Sequence, residues 1–71
     1  MADKEKFLKF FDEVGIKTTE VKPEDVFIEM DEDVAWESAI SVGQLWFMFD
    51  NDEQYLGFIN DETMQFEPRE T

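Results

Sequence analysis

Apolar residues recur along this chain with two different periods. Over residues 4–14 the period is helical. Phe7, Phe10, Phe11 and Val14 fall at i, i+3, i+4 and i+7, and Leu8 widens the stripe. Lys4, Lys6, Lys9, Asp12 and Glu13 take the opposite side. Asp3 is placed to cap the N-terminus through its side chain. Glu5 and Lys9 are spaced as a favourable i,i+4 pair. Gly15 stands where a left-handed C-terminal cap is wanted, with Ile16 able to fold back onto Phe11.

After Gly15 the period drops to two. Strands are predicted over about 16–22, 26–31, 36–42, 44–49, 55–59 and, as a short last one, 63–67. A helical turn through Trp36, Ala39 and Ile40 competes with the third of these. Pro23-Glu24-Asp25, Asp31-Glu32-Asp33 and the run Asp50 to Gln54 read as turns. The sum is an α+β fold in one domain, 1–71. An N-terminal amphipathic helix would pack on an antiparallel meander sheet of four to six short strands.

Alternation also assigns faces. If Leu45, Phe47 and Phe49 meet the helix, Trp46 and Met48 point away. On the following strand Leu56 and Phe58 would go inward, and Tyr55 and Ile59 outward. One helix covers one face of a sheet. Trp46, Met48, Tyr55 and Ile59 are then expected as an outer apolar patch, the kind of surface that marks an interface. The competing expectation is a more closed core that buries both sets.

Size limits the fold. A chain of 71 residues buries only about 60 % of its unfolded surface, and such a core supplies roughly 3–5 kcal/mol. Neither Cys nor His is present, so no disulfide and no zinc site is expected. The longest apolar run, Leu45 to Phe49, is far short of the roughly 20 residues of a membrane span. The N-terminus lacks the apolar core of a signal peptide. A cytoplasmic location is expected.

The formal net charge is −13, and it is unevenly placed. Residues 1–22 hold five acids and five lysines. Residues 23–71 hold fourteen acids and one base, Arg69. Direct binding to nucleic acid or to an anionic membrane is disfavoured, because both need Lys or Arg to displace counterions. Disorder, the usual companion of such acidity, is opposed by 42 % hydrophobic and 15 % aromatic content.

Candidate chemistry is sparse. Carboxylates abound, but no His, Cys nucleophile or Gly-rich phosphate loop converges with them, so no enzyme and no cofactor is expected. Asp50-Asn51-Asp52-Glu53-Gln54 begins like a calcium loop. Its sixth position is Tyr55 where Gly is wanted, and a strand follows where a helix is wanted, so it reads as a polar turn. On a strand, Glu29 and Asp31 would lie about 6.6–6.8 Å apart, near the spacing of every second phosphate of a DNA strand. Asp50, Asp52, Glu53, Asp61 and Glu62 would extend the row, and Glu37 is expected with Glu29 and Asp31 near the outer apolar face. The expectation is a DNA-mimic-like inhibitor or regulator. Its acids, anchored by Trp46, Met48 and Tyr55, would occupy the basic surface of a nucleic-acid-handling protein. By analogy alone, many small acidic, aromatic-rich inhibitors encoded by bacteriophages look like this. The alternative is a self-assembling module, with a second copy of the chain as partner.

Overall fold

The computed structural model of the protein describes residues 2–26 and 34–69. The strand predicted over 26–31 lies outside that range apart from Val26, and so do the acids Glu29 and Asp31. Helix α1 spans Asp3–Glu13, followed by β1 (Thr19–Val21), β2 (Ser38–Val42), β3 (Leu45–Phe49), β4 (Tyr55–Asn60) and β5 (Phe66–Pro68). The strands form one antiparallel sheet in chain order. This is the expected helix on a meander.

The ends of α1 differ from their prediction in one respect. The N-cap is Ala2, without a side-chain cap bond. Asp3 sits one residue inside the helix, and its carboxylate accepts instead from the Tyr55 N–H at 3.0 Å. The C-terminus follows the sequence closely. Ile16 N–H donates to the Phe11 carbonyl at 2.8 Å and Gly15 N–H to the Asp12 carbonyl at 3.1 Å, with Gly15 at φ +75°. These are the two bonds of a Schellman cap. The cap holds Ile16 outside the ladder, so β1 starts at Thr19 rather than at residue 16. At the other edge, β5 includes Pro68, tolerated because an edge strand need not donate from every residue.

Register explains the two faces. Residues directly opposite one another across an antiparallel ladder share a face. Toward α1 the pairs run Glu20–Ile40–Phe47–Phe58–Glu67 across all five strands. On the far face they run Val21–Ala39–Met48–Gly57–Pro68 and Thr19–Ser41–Trp46–Ile59–Phe66. Each face has its own core. Phe7 and Phe11 of α1 pack on Ile40, Val42, Phe47, Phe49 and Tyr55. The Phe7 ring lies 4.9–5.4 Å from the rings of Tyr55, Phe49 and Phe47. Opposite them, Ala39, Met48 and Ile59 are enclosed by Val21, Trp36, Trp46 and Phe66.

Two face assignments are corrected. Tyr55 belongs to the helix side, because the register shifts between Met48 and Phe49 and brings Tyr55 opposite Phe49. A bulge adds one residue, here at Leu56, and one residue reverses the alternation. The second correction is larger. Met48 and Ile59 are fully buried, so the expected open outer patch is a second core. Trp46 is partly buried on its margin.

Candidate functional site

Turns, not strand faces, carry most of the predicted site. The β3–β4 loop is built around Asp50. Its Oδ1 accepts from the N–H groups of Asp52 and Gln54, each at 2.9 Å. Asp50 N–H donates to the Gln54 carbonyl at 3.0 Å, and Glu53 N–H to the Asp50 carbonyl at 3.0 Å. Glu53 adopts φ +63°, a left-handed conformation a glutamate rarely takes. Helix α1 holds it there. Lys4 N–H donates to the Glu53 carbonyl at 3.1 Å. Lys4 Nζ lies 3.8 Å from Glu53 Oε2 and 2.9 Å from Glu20 Oε2 on β1.

Lys4 therefore does not face solvent, as its place on the helical wheel implies. It is 7 % exposed and ties α1 to β1 and to the β3–β4 loop. Lys4 also holds the Glu20 carboxyl below the usual range, chiefly by its hydrogen bond. Beside it, Asp3 Oδ2 lies 3.6 Å from Arg69 Nη1, which joins the start of α1 to the end of β5. Burial against the Phe7 and Phe49 rings raises the Tyr55 phenol.

Two groups of acids result. Glu37 N–H donates to the Phe49 carbonyl at 2.8 Å, so Glu37 stands at the same end of the sheet as Asp50, Asp52 and Glu53. Asp61 N–H donates to the Gln44 carbonyl at 2.8 Å, which puts Asp61 and Glu62 at the opposite end, beside the β2–β3 turn. The length of β3 separates the groups, roughly 16 Å at about 3.3 Å per residue. The single acidic row expected from the sequence is divided in two. Asp50 and Glu53 are partly committed to the fold, whereas Glu37, Asp52, Asp61 and Glu62 are exposed. Of the expected apolar anchors, Met48 is sealed in the second core, Tyr55 sits under α1, and Trp46 alone retains partial exposure on the far face. Among the described residues no group of three or more acids is placed to hold a metal ion.

Apolar exposure lies elsewhere, at α1. Phe10 is 57 % exposed, and Val14, one turn further along the same flank, 52 %. Lys6, Phe7, Phe10, Phe11 and Phe47 line a cleft of about 440 Å³. A second of about 530 Å³ is lined by Phe58, Asn60, Thr63, Gln65, Glu67 and Pro68. Phe47 and Phe58 are ladder partners with ring centroids 6.1 Å apart, so the two clefts adjoin. Together they form a trough between the Lys6–Phe10 flank of α1 and β5. The sequence did contain a signal for it. Phe7, Phe10, Phe11, Val14 and Leu8 make an apolar stripe wider than one side of a helix can press onto a sheet.

Comparison of the chain with protein-family models, with curated proteins and with solved structures gives no significant match.

Proposed function

We propose that this chain is a protein-binding module whose acidic surface docks on the basic surface of another protein, of the kind that otherwise holds nucleic acid. Occupying such a surface would exclude the nucleic acid, which makes the module an inhibitor or regulator.

The observation that carries this reading is the separation of charge in space. Two cations are paired with acids of the fold, the buried Lys4 with Glu20 and the exposed Arg69 with Asp3. The other four, Lys6, Lys9, Lys17 and Lys22, lie on α1 or flank β1. The rest of the sheet presents Glu37, Asp52, Asp61, Glu62 and Glu67, all exposed. A one-signed field of this kind steers an oppositely charged partner and sets its orientation. With the far face closed, affinity would rest on the acids more than on Trp46.

The test is capture from a lysate of the source cell, eluted in a salt gradient. A parallel column carries the variant Glu37→Gln/Asp52→Asn/Asp61→Asn/Glu62→Gln. Among the described residues these side chains make no ion pair, so the variant should fold. A nucleic-acid-binding protein retained by the wild type, released at moderate salt, displaced by duplex DNA and lost from the variant is the expected result. Equal retention by both columns would refute the reading.

A further inference from the structure

We propose that two copies of the chain pair through the trough, the Phe10 flank of each α1 seated over Phe47 and Phe58 of the other. This goes beyond the basic-surface reading and does not depend on it.

The trough and the residue that would fill it are on the same molecule, side by side. Its floor is Phe47 and Phe58, its near wall Lys6, Phe7 and Phe10, and its far wall Glu67 and Pro68. A two-fold pairing requires such self-complementarity: residue i of one copy meets j of the other, and j meets i. Phe10 supplies the knob. A phenylalanine 57 % exposed beside an aromatic floor leaves apolar area in water that pairing would remove.

The charges that line the trough, Lys6 and Glu67, suit a second copy as the occupant. At −13, two chains repel overall, but salt screens that repulsion beyond about 8–10 Å, and the surfaces in contact differ. Residues 1–22 balance five acids with five lysines. Pairing through α1 brings this neutral, lysine-bearing segment onto the acidic sheet. Lys6, one turn before Phe10 on the same flank, comes opposite Glu67 of the other copy. Glu67 is exposed on β5 and ends the row Phe47–Phe58–Glu67 that floors the trough.

Sedimentation equilibrium of the full chain in about 0.15 M salt, up to about 1 mM protein, tests the proposal. The wild type is expected at twice the monomer mass of 8.5 kDa. Phe10→Lys should return it to monomer with its circular dichroism unchanged. Lys6→Glu and Glu67→Lys should each weaken the dimer about fivefold or more, and the double swap should restore it. Phe10→Ser provides a second route to the same monomer if the lysine disturbs the helix. A wild type that stays monomeric at the highest concentration overturns the proposal. So does a dimer that survives both Phe10 variants, which would place the contact elsewhere. Neither failure touches the acids used in the capture experiment.

Discussion

Replacing Gly57 by alanine should detach β5 from the sheet. Gly57 sits mid-strand at φ +147°, a region other residues scarcely enter, and holding one there costs on the order of 1–3 kcal/mol. The added methyl would also meet the backbone of the edge strand. A Cβ at Gly57 would lie 2.7 Å from Phe66 Cζ and 2.9 Å from Pro68 Cα, and closer still to the Glu67 carbonyl oxygen. Two of these three atoms are backbone, so no rotamer change relieves them. The whole of β5 has to move, and its ladder to β4 runs over only Gly57–Pro68, Phe58–Glu67 and Ile59–Phe66. Each lost hydrogen bond adds about 0.5–1.5 kcal/mol. Against this, alanine restricts the unfolded chain and returns about 0.4–1 kcal/mol. The net loss is about 2–4 kcal/mol, most of what a core this size supplies. Urea unfolding followed by tryptophan fluorescence reads it directly, since Trp46 and Trp36 share a cluster with Phe66. Gly15→Ala is the control: φ is +75° but nothing lies within 4 Å of its Cβ, so only the conformational cost of about 1–2 kcal/mol applies. Equal losses for the two variants, or a loss at Gly57 below about 0.5 kcal/mol, would refute the packing argument.

Three further outcomes are expected. Met48→Ala should cost about 2–5 kcal/mol in the same urea assay, the range for emptying a sealed apolar site, whereas a binding role at an open face would leave stability almost untouched. Asp50→Ala should lower stability by about 1 kcal/mol by orphaning two loop N–H groups, while Asp50→Asn, whose amide oxygen still accepts, recovers most of it; comparing the two separates an acceptor role from a charge role. The Lys4–Glu20 pair should make stability fall with acid. Glu20 titrates lower folded than unfolded, so its contribution is whole above the ordinary carboxylate value of 4.5 and is lost as pH drops through the lower folded value. In Lys4→Met that part of the pH dependence should vanish between about pH 5 and 3, and a profile unchanged from wild type would exclude the pair as its source.

Local signals in the sequence were read correctly at the end of α1 and along β3, though not at the start of α1, where Asp3 is not the cap. The stripe at Phe7, Phe11 and Val14, the Gly15 cap and the alternation of Trp46 to Phe49 act over a few residues, and the helix, its end and the faces of β3 follow from them. What was missed is long-range. Nothing near Lys4 in the chain indicates that Glu20 and Glu53 will meet it, so a lysine expected in water is buried. The bulge that turns Tyr55 toward α1 depends on how β3 and β4 close their loop, not on either strand alone. The outer patch failed for a related reason: the cover over Met48 and Ile59 includes Trp36 and Phe66, from the approach to β2 and from the last strand. Of the site, the acidic turns were legible, but their division between two ends of the sheet required the register.

The meander order has a kinetic consequence. Each described strand pairs with the next described strand, and the β2–β3 and β3–β4 ladders are joined by short loops. Loop closure for such pairs carries little entropy, and low contact order speeds folding. The central hairpins can therefore form first and build Ile40, Phe47 and Phe49 into a surface before α1 arrives. Closing α1 onto that surface brings Asp3 to Tyr55 and Arg69, across nearly the whole chain. Until then the aromatic face stands open to solvent, so at high concentration a refolding chain exposes to other copies the surface that its own helix later covers.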